Sequence, residues 1–263
     1  MKFLFTLLLL LPLISFSPET KLPDVIVKLT ADKITTDNLG NVYTIKSESI
    51  SKYDSLGILQ KSFSNKNFGA ITSADATNAL RIVLFYKDFN RIVTLDNTLS
   101  QNGQPIALEN IGFPLVTLVA AAHENGFWIY DQQNFELVFL NRNLKPEHRT
   151  GNLSQLLGIN LQPNFILEKD NRLFLNNPQT GIMVFDIFGT YSKTIPVKNL
   201  NSFQVIDDAV LYYSENHLQM DFIKLNDHTD YNQPVGDSTT IDMRMEQNAI
   251  FVLKENSLEI YHK

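Results

Sequence analysis

The stretch Asp37-Asn38-Leu39-Gly40-Asn41-Val42-Tyr43-Thr44-Ile45, followed by Ser49-Ile50-Ser51-Lys52-Tyr53-Asp54-Ser55-Leu56-Gly57 and then Ile58-Leu59-Gln60-Lys61-Ser62-Phe63, decides the fold. Asp37 to Asn41 is turn chemistry, because Asx side chains bond the nearby backbone and glycine accepts positive φ. Val42 to Ile45 is β-branched and aromatic, which suits a strand in a buried sheet. Ile50 and Tyr53 mark a second strand, Asp54 to Gly57 turns the chain again, and Ile58, Leu59 and Phe63 begin a third. Three strands cannot bury two faces alone, so the unit needs neighbours stacked on both sides.

Weaker copies follow. The middle strands read as Asn41–Ile45, Arg81–Tyr86, Gly126–Asp131, Arg172–Asn177, Ala209–Ser214 and Ala249–Lys254, each after a polar turn. The next strand usually ends in a bulky apolar residue and an Asx, as in Tyr53-Asp54, Leu95-Asp96, Leu140-Asn141 and Phe185-Asp186. In the fifth copy that register fails, because Asp221 puts a charge where the bulky residue belongs. The copies recur at roughly 36 to 45 residues, the spacing of propeller blades. Helical pattern is confined to Asn152–Asn160. A β-sandwich also has short strands and frequent turns, but it gives no reason for such a repeat. The expected fold is therefore all-β, a six-bladed β-propeller.

The ends carry a second expectation. An open ring leaves exposed sheet edges at its first and last blades. The sixth copy stops after its third strand, while Asp24–Leu29 is a strand that belongs to no copy. The N-terminal strand is thus expected to complete the last blade. Residues 18–263 read as a single propeller domain after a signal peptide at 1–17. Lys2 precedes an uncharged run from Phe3 to Phe16, too short for a comfortable membrane span and suited to a signal core. Ser15 and Ser17 are the small residues before a cut, with Pro18 just beyond it. No transmembrane segment is expected after its removal.

Composition narrows the partners. The chain has 263 residues, 44% of them apolar, and a net charge of −6. Its basic residues are scattered, whereas nucleic-acid binders present a basic stripe or patch. With no cysteine, disulfides and thiolate metal sites are excluded. No Gly-x-Ser-x-Gly elbow and no glycine-rich phosphate loop occur. The segments Asn97–Pro114 and Asn141–Pro163 look like the longest inter-blade connections. Gln101, Asn102, Gln104, Leu156, Leu157 and Ile159 within them are the candidate interface, since surface loops on a rigid sheet carry recognition. Trp128 reads as core. The loop Asn226-Asp227-His228-Thr229-Asp230 could hold a cation but reads as a solvated turn.

The Asp37-x-x-Gly40-Asn41-Val42-Tyr43 and Lys52-Tyr53-Asp54-x-x-Gly57 patterns resemble NHL-type and TolB-like six-bladed propellers, over residues 33–63 and partly at Arg91–Asp96 and Gly181–Gly189. The Asn/Lys/Ile/Phe-rich style and short leader look like exported propellers of Bacteroidota. That resemblance implies a periplasmic or outer-membrane binding or scaffold module with a protein partner, such as a component of a secretion machinery, and no cofactor. It also implies an alternative. Lactonase-like propellers hold one divalent cation over the channel with Glu, Asn and Asp, which here points to Asn164, Glu168 and Asp242 as hard-oxygen ligands for Ca²⁺ in a metal-dependent hydrolase.

Overall fold

The computed structural model describes residues 21–215, 217–223, 228–231 and 236–262. After β1 (Val25–Lys28), the chain lays down strands four at a time. The first sheet is β2 (Lys33–Thr36), β3 (Val42–Lys46), β4 (Ser49–Tyr53) and β5 (Leu59–Ser64). The second is β6 (Ser73–Asp75), β7 (Ile82–Tyr86), β8 (Arg91–Leu95) and β9 (Ile106–Ala107). The third is β10 (Val116–Ala121), β11 (Phe127–Asp131), β12 (Glu136–Leu140) and β13 (Pro146–Arg149). A helix, α1 (Leu153–Leu157), leads to β14 (Phe165–Lys169), β15 (Arg172–Asn177), β16 (Gly181–Asp186) and β17 (Tyr191–Ile195). The fifth sheet is β18 (Gln204–Ile206), β19 (Ala209–Ser214), β20 (His217–Phe222) and β21 (His228–Tyr231). The sixth takes β22 (Thr240–Glu246), β23 (Ala249–Lys254) and β24 (Ser257–His262), and its fourth strand is β1.

The ring closes as the sequence leads one to expect. β1 runs antiparallel to β24 with Val25 opposite Ile260 and Val27 opposite Leu258. Beyond the strand, Asp24 N–H donates to the Ile260 carbonyl at 2.9 Å, and the Asp24 carboxylate accepts from His262 N–H at 2.6 Å.

The core lies between blades rather than inside any one sheet. Six apolar clusters among the described residues each join one blade to the next, and the last joins blade six to blade one through Phe251, Leu253, Ile260, Ile34 and Val42. A middle strand is therefore buried on both faces, and its residues alternate between two neighbours. Along β11, Phe127 and Ile129 face blade two, whereas Trp128 and Tyr130 face blade four. Trp128 is fully buried core.

One turn design recurs and accounts for the Asx signal. Asp37, Asp54, Asp96, Asn141 and Asp186 each accept two backbone N–H bonds, from the residues two and four ahead. The residue three ahead then takes positive φ: Gly40, Gly57, Leu99, Leu144 and Gly189. Glycine enters that region without the Cβ clash, and the two leucines do not. In blade five the charge that breaks the pattern is taken into the sheet, where the Tyr212 hydroxyl donates to Asp221 at 2.6 Å.

Because the strands alternate in direction, the two faces of the ring differ. Among the described residues, the inter-blade connections and second-to-third strand hairpins lie on one face, here the connection face. First-to-second and third-to-fourth turns lie on the other, the turn face. On the turn face and along the inner strands, polar contacts join each blade to the next. Gln247 reaches the Asn38 carbonyl, Asn38 accepts from Ala79 N–H, and Arg81 caps the carbonyls of Asn125 and Gly126. Glu168 then accepts from His123, Arg172 pairs with Asp208 at 2.5 Å, and the Gln204 amide exchanges two bonds with the Met245 backbone.

Candidate functional site

The first strand of each sheet faces the axis, and residues from all six enclose a cavity of about 550 Å³. That size falls within the range of about 300–1,000 Å³ typical of small-molecule pockets. Toward the connection face its wall is polar: Lys33, Thr72, Asn164, Ser202 and Asp242. Leu118, Val119, Phe165 and Ile241 supply apolar surface.

β22 places the deepest charges. In Thr240-Ile241-Asp242-Met243-Arg244-Met245-Glu246, period-two alternation sends Met243 and Met245 into the core against blade five. Asp242, Arg244 and Glu246 then line the channel. The Arg244 guanidinium donates to Asp242 at 2.8 Å, to the Met243 carbonyl at 3.0 Å and to the Ser202 hydroxyl at 2.8 Å. Burial pushes the Asp242 carboxyl above its ordinary pKa, and Arg244 together with the Met243 N–H works against that shift. Burial likewise raises Glu246, opposed by Lys169 across the channel. These charges lie in the channel wall, where they can accept and donate hydrogen bonds.

Of the three residues suggested as cation ligands, Asn164 and Asp242 share this cavity. Asn164 Oδ1 accepts from Asn176 at 2.6 Å, and its amide donates to the Leu200 carbonyl. Glu168 is engaged between blades instead. Its carboxylate accepts from Trp128 Nε1–H at 2.7 Å and from His123 N–H at 2.8 Å, and lies 3.0 Å from His123 Nδ1. Among the described residues, no three His, Asp or Glu side chains gather as a metal cluster. Asn226 and Asp227 of the acidic loop lie outside the described residues, as does the leader with its cleavage region.

The candidate interface residues fall on opposite faces. Gln101, Asn102 and Gln104 sit exposed between β8 and β9, on the turn face. Leu156, Leu157 and Ile159 belong to the connection face. Asn152 caps α1 by accepting from Gln155 N–H at 2.9 Å, and Gly158 ends it in the left-handed region. Leu153 is buried beneath the helix and Leu156 is 62% exposed. Leu157 and Ile159 pack partly against the core between blades three and four. Each of the two long segments also contains a short outer strand, β9 or β13.

No family model matches the chain, and no curated relative does. Solved structures do. The extracellular domain of a putative one-component system from B. thetaiotaomicron matches with a TM-score of 0.56 at 14% identity, over 88% of this chain and 32% of that one. The chain thus spans about a third of that protein's length. Virginiamycin B lyase from Staphylococcus aureus matches with a TM-score of 0.56 at 14% identity, over 86% and 78% of the two chains. A chain of the mitotic checkpoint complex reaches a TM-score of 0.67 at 6% identity, over 100% and 98%. The likeness is one of fold.

Proposed function

We propose that the chain is an exported binding module that acts as a protein scaffold in a periplasmic or outer-membrane assembly, such as a secretion machinery. Export rests on the uncharged run from Phe3 to Phe16 behind Lys2. The observation that carries the scaffold reading is the connection face. A ring fastened blade to blade holds there a row of outward apolar side chains, Phe89, Leu115 and Leu156, each at least half exposed. Hydrogen bonds tie the segments that carry these side chains to one another. The Asn90 amide beside Phe89 bonds the Phe113 carbonyl, Gln132 N–H bonds the Leu115 carbonyl, and Leu153 N–H bonds the Phe135 carbonyl. Exposed apolar anchors on a rigid support are what a protein partner buries at the centre of an interface. The competing reading, a Ca²⁺-dependent hydrolase using Asn164, Glu168 and Asp242, requires Glu168 to leave Trp128 and His123.

Affinity isolation of the tagged chain from native membranes tests the proposal. A stoichiometric partner, lost when Leu115 and Leu156 are both changed to Glu in a variant that melts like the parent, supports it. A lone monomer, or a partner retained by that variant, contradicts it.

A further inference from the structure

We infer that the axial cavity is a binding site for a neutral, hydroxyl-rich small molecule, a saccharide of one to three units, independent of the scaffold surface. The volume suits such a ligand and the wall chemistry selects it. Seven charged side chains line the cavity, the four acids Asp32, Asp75, Asp242 and Glu246 and the three bases Lys33, Lys169 and Arg244, so opposite charges nearly balance. Arg244 is spent on Asp242, Met243 and Ser202. Lys33 feels both Asp32 and Asp242, Glu246 feels Lys169, and Asp75 faces Arg81. A charged ligand would lose its hydration without gaining an uncompensated counter-charge, so charge is selected against.

Hydroxyl groups find what they need. Ser202 accepts from Arg244 and keeps its own O–H to donate. The Lys33 ammonium, seated on the Thr72 carbonyl at 2.5 Å, keeps two further protons. Asp242 is an acceptor held in place by Arg244 and Met243 N–H. A carboxylate fixed by an arginine can bond two vicinal hydroxyls at once. Phe165, 5.0 Å from Phe203 in an edge-to-face pair, and Ile241, 45% exposed at the rim, offer apolar surface for the C–H face of a pyranose ring.

The test is a thermal-shift and calorimetric screen of the full mature chain. The probes are neutral mono-, di- and trisaccharides, set against sugar phosphates, uronic acids and amino sugars. At a hundredfold its Kd, a bound saccharide raises Tm by about 5–10 °C. The expected result is saturable binding of at least one neutral sugar, with its charged analogues at least tenfold weaker. Ile241→Ala, which removes that apolar rim surface without touching the Asp242–Arg244 pair, weakens it at least threefold. Ser202→Ala weakens it by about fivefold. Absence of any neutral saccharide bound with a Kd below 10 mM, equal binding of charged analogues, or undiminished binding by Ile241→Ala would each overturn the inference.

Discussion

Replacing Gly57 with alanine probes the seam of the ring. Gly57 sits in the β4–β5 turn at φ +74°, and a Cβ there would lie 2.6 Å from Val27 Cγ2 and 2.9 Å from Val25 Cγ1. Two costs follow. Holding alanine in the left-handed region costs about 1–2 kcal/mol. The methyl also sits about an ångström inside carbon–carbon contact distance, so β1 must retreat, and overpacking of this kind costs about 1–3 kcal/mol. The sum is about 2–5 kcal/mol, a Tm fall of roughly 5–15 °C for a domain of this size. Gly103 supplies the control, at φ +83° with nothing within 4 Å of its Cβ position. Gly103→Ala incurs the backbone cost alone. Urea and thermal melts followed by Trp128 fluorescence read both variants. In a Val25→Ala, Val27→Ala background the Gly57→Ala penalty is expected to shrink to the Gly103 value, a coupling of about 1–3 kcal/mol. Equal costs at the two glycines, or a penalty that the valine changes leave untouched, would refute the placement of β1 against this turn.

Other expectations are separately measurable. Glu168→Ala leaves the buried Trp128 N–H unpaired and is expected to destabilise by about 2–4 kcal/mol in a denaturant melt, with a changed tryptophan emission. Trp128→Phe should halve the further cost of losing Glu168, since the orphaned donor is gone. The two leucines at positive φ should respond differently to glycine: Leu144, half-buried at φ 61°, within about 1 kcal/mol of neutral, and Leu99, buried at φ 58°, destabilised by 2 kcal/mol or more. Alkaline stability follows from buried Tyr86, whose phenol is pushed up to about 12 by burial. The native state holds that proton after the unfolded chain, titrating near 10, has released it. Stability is therefore full below about pH 10 and falls by roughly 2–3 kcal/mol as pH rises to about 12. Tyrosinate absorbance during an alkaline titration should lag for Tyr86 and appear with unfolding; early, reversible ionisation of every tyrosine without unfolding would contradict this.

How far the sequence carries the fold depends on where local chemistry and tertiary structure agree. The Asp-x-x-Gly turns are legible because one carboxylate and one residue at positive φ define the whole turn. The middle strands are legible because two-sided burial leaves an unbroken apolar run, as in Ile82 to Tyr86. The orphan strand Asp24–Leu29 is legible because an unclosed ring has two unpaired edges. β13 is mostly exposed and polar, and β9 is only two residues long, Ile106-Ala107, so both hide inside what read as long connections. Once β9 and β13 are counted, strand parity puts Gln101 and Leu156 on opposite faces. Glu168 invites a metal reading because an isolated acid on an inner strand looks free, and its contacts with Trp128 and His123 join different blades. Arg244 was within reach: three charges at period two between Ile241, Met243 and Met245 mark one face turned to the channel.

Everything above depends on the two ends of the chain sharing one sheet, and a cysteine-free protein allows that to be measured directly. Ile26 and Glu259 lie opposite each other in the β1–β24 register. Changing both to cysteine and oxidising the folded chain at low concentration should give a monomeric cross-linked species in high yield, with a raised Tm that reduction reverses. Free thiols persisting in the folded monomer, or cross-links formed between chains alone, would mean that the ring is not closed by its N-terminal strand.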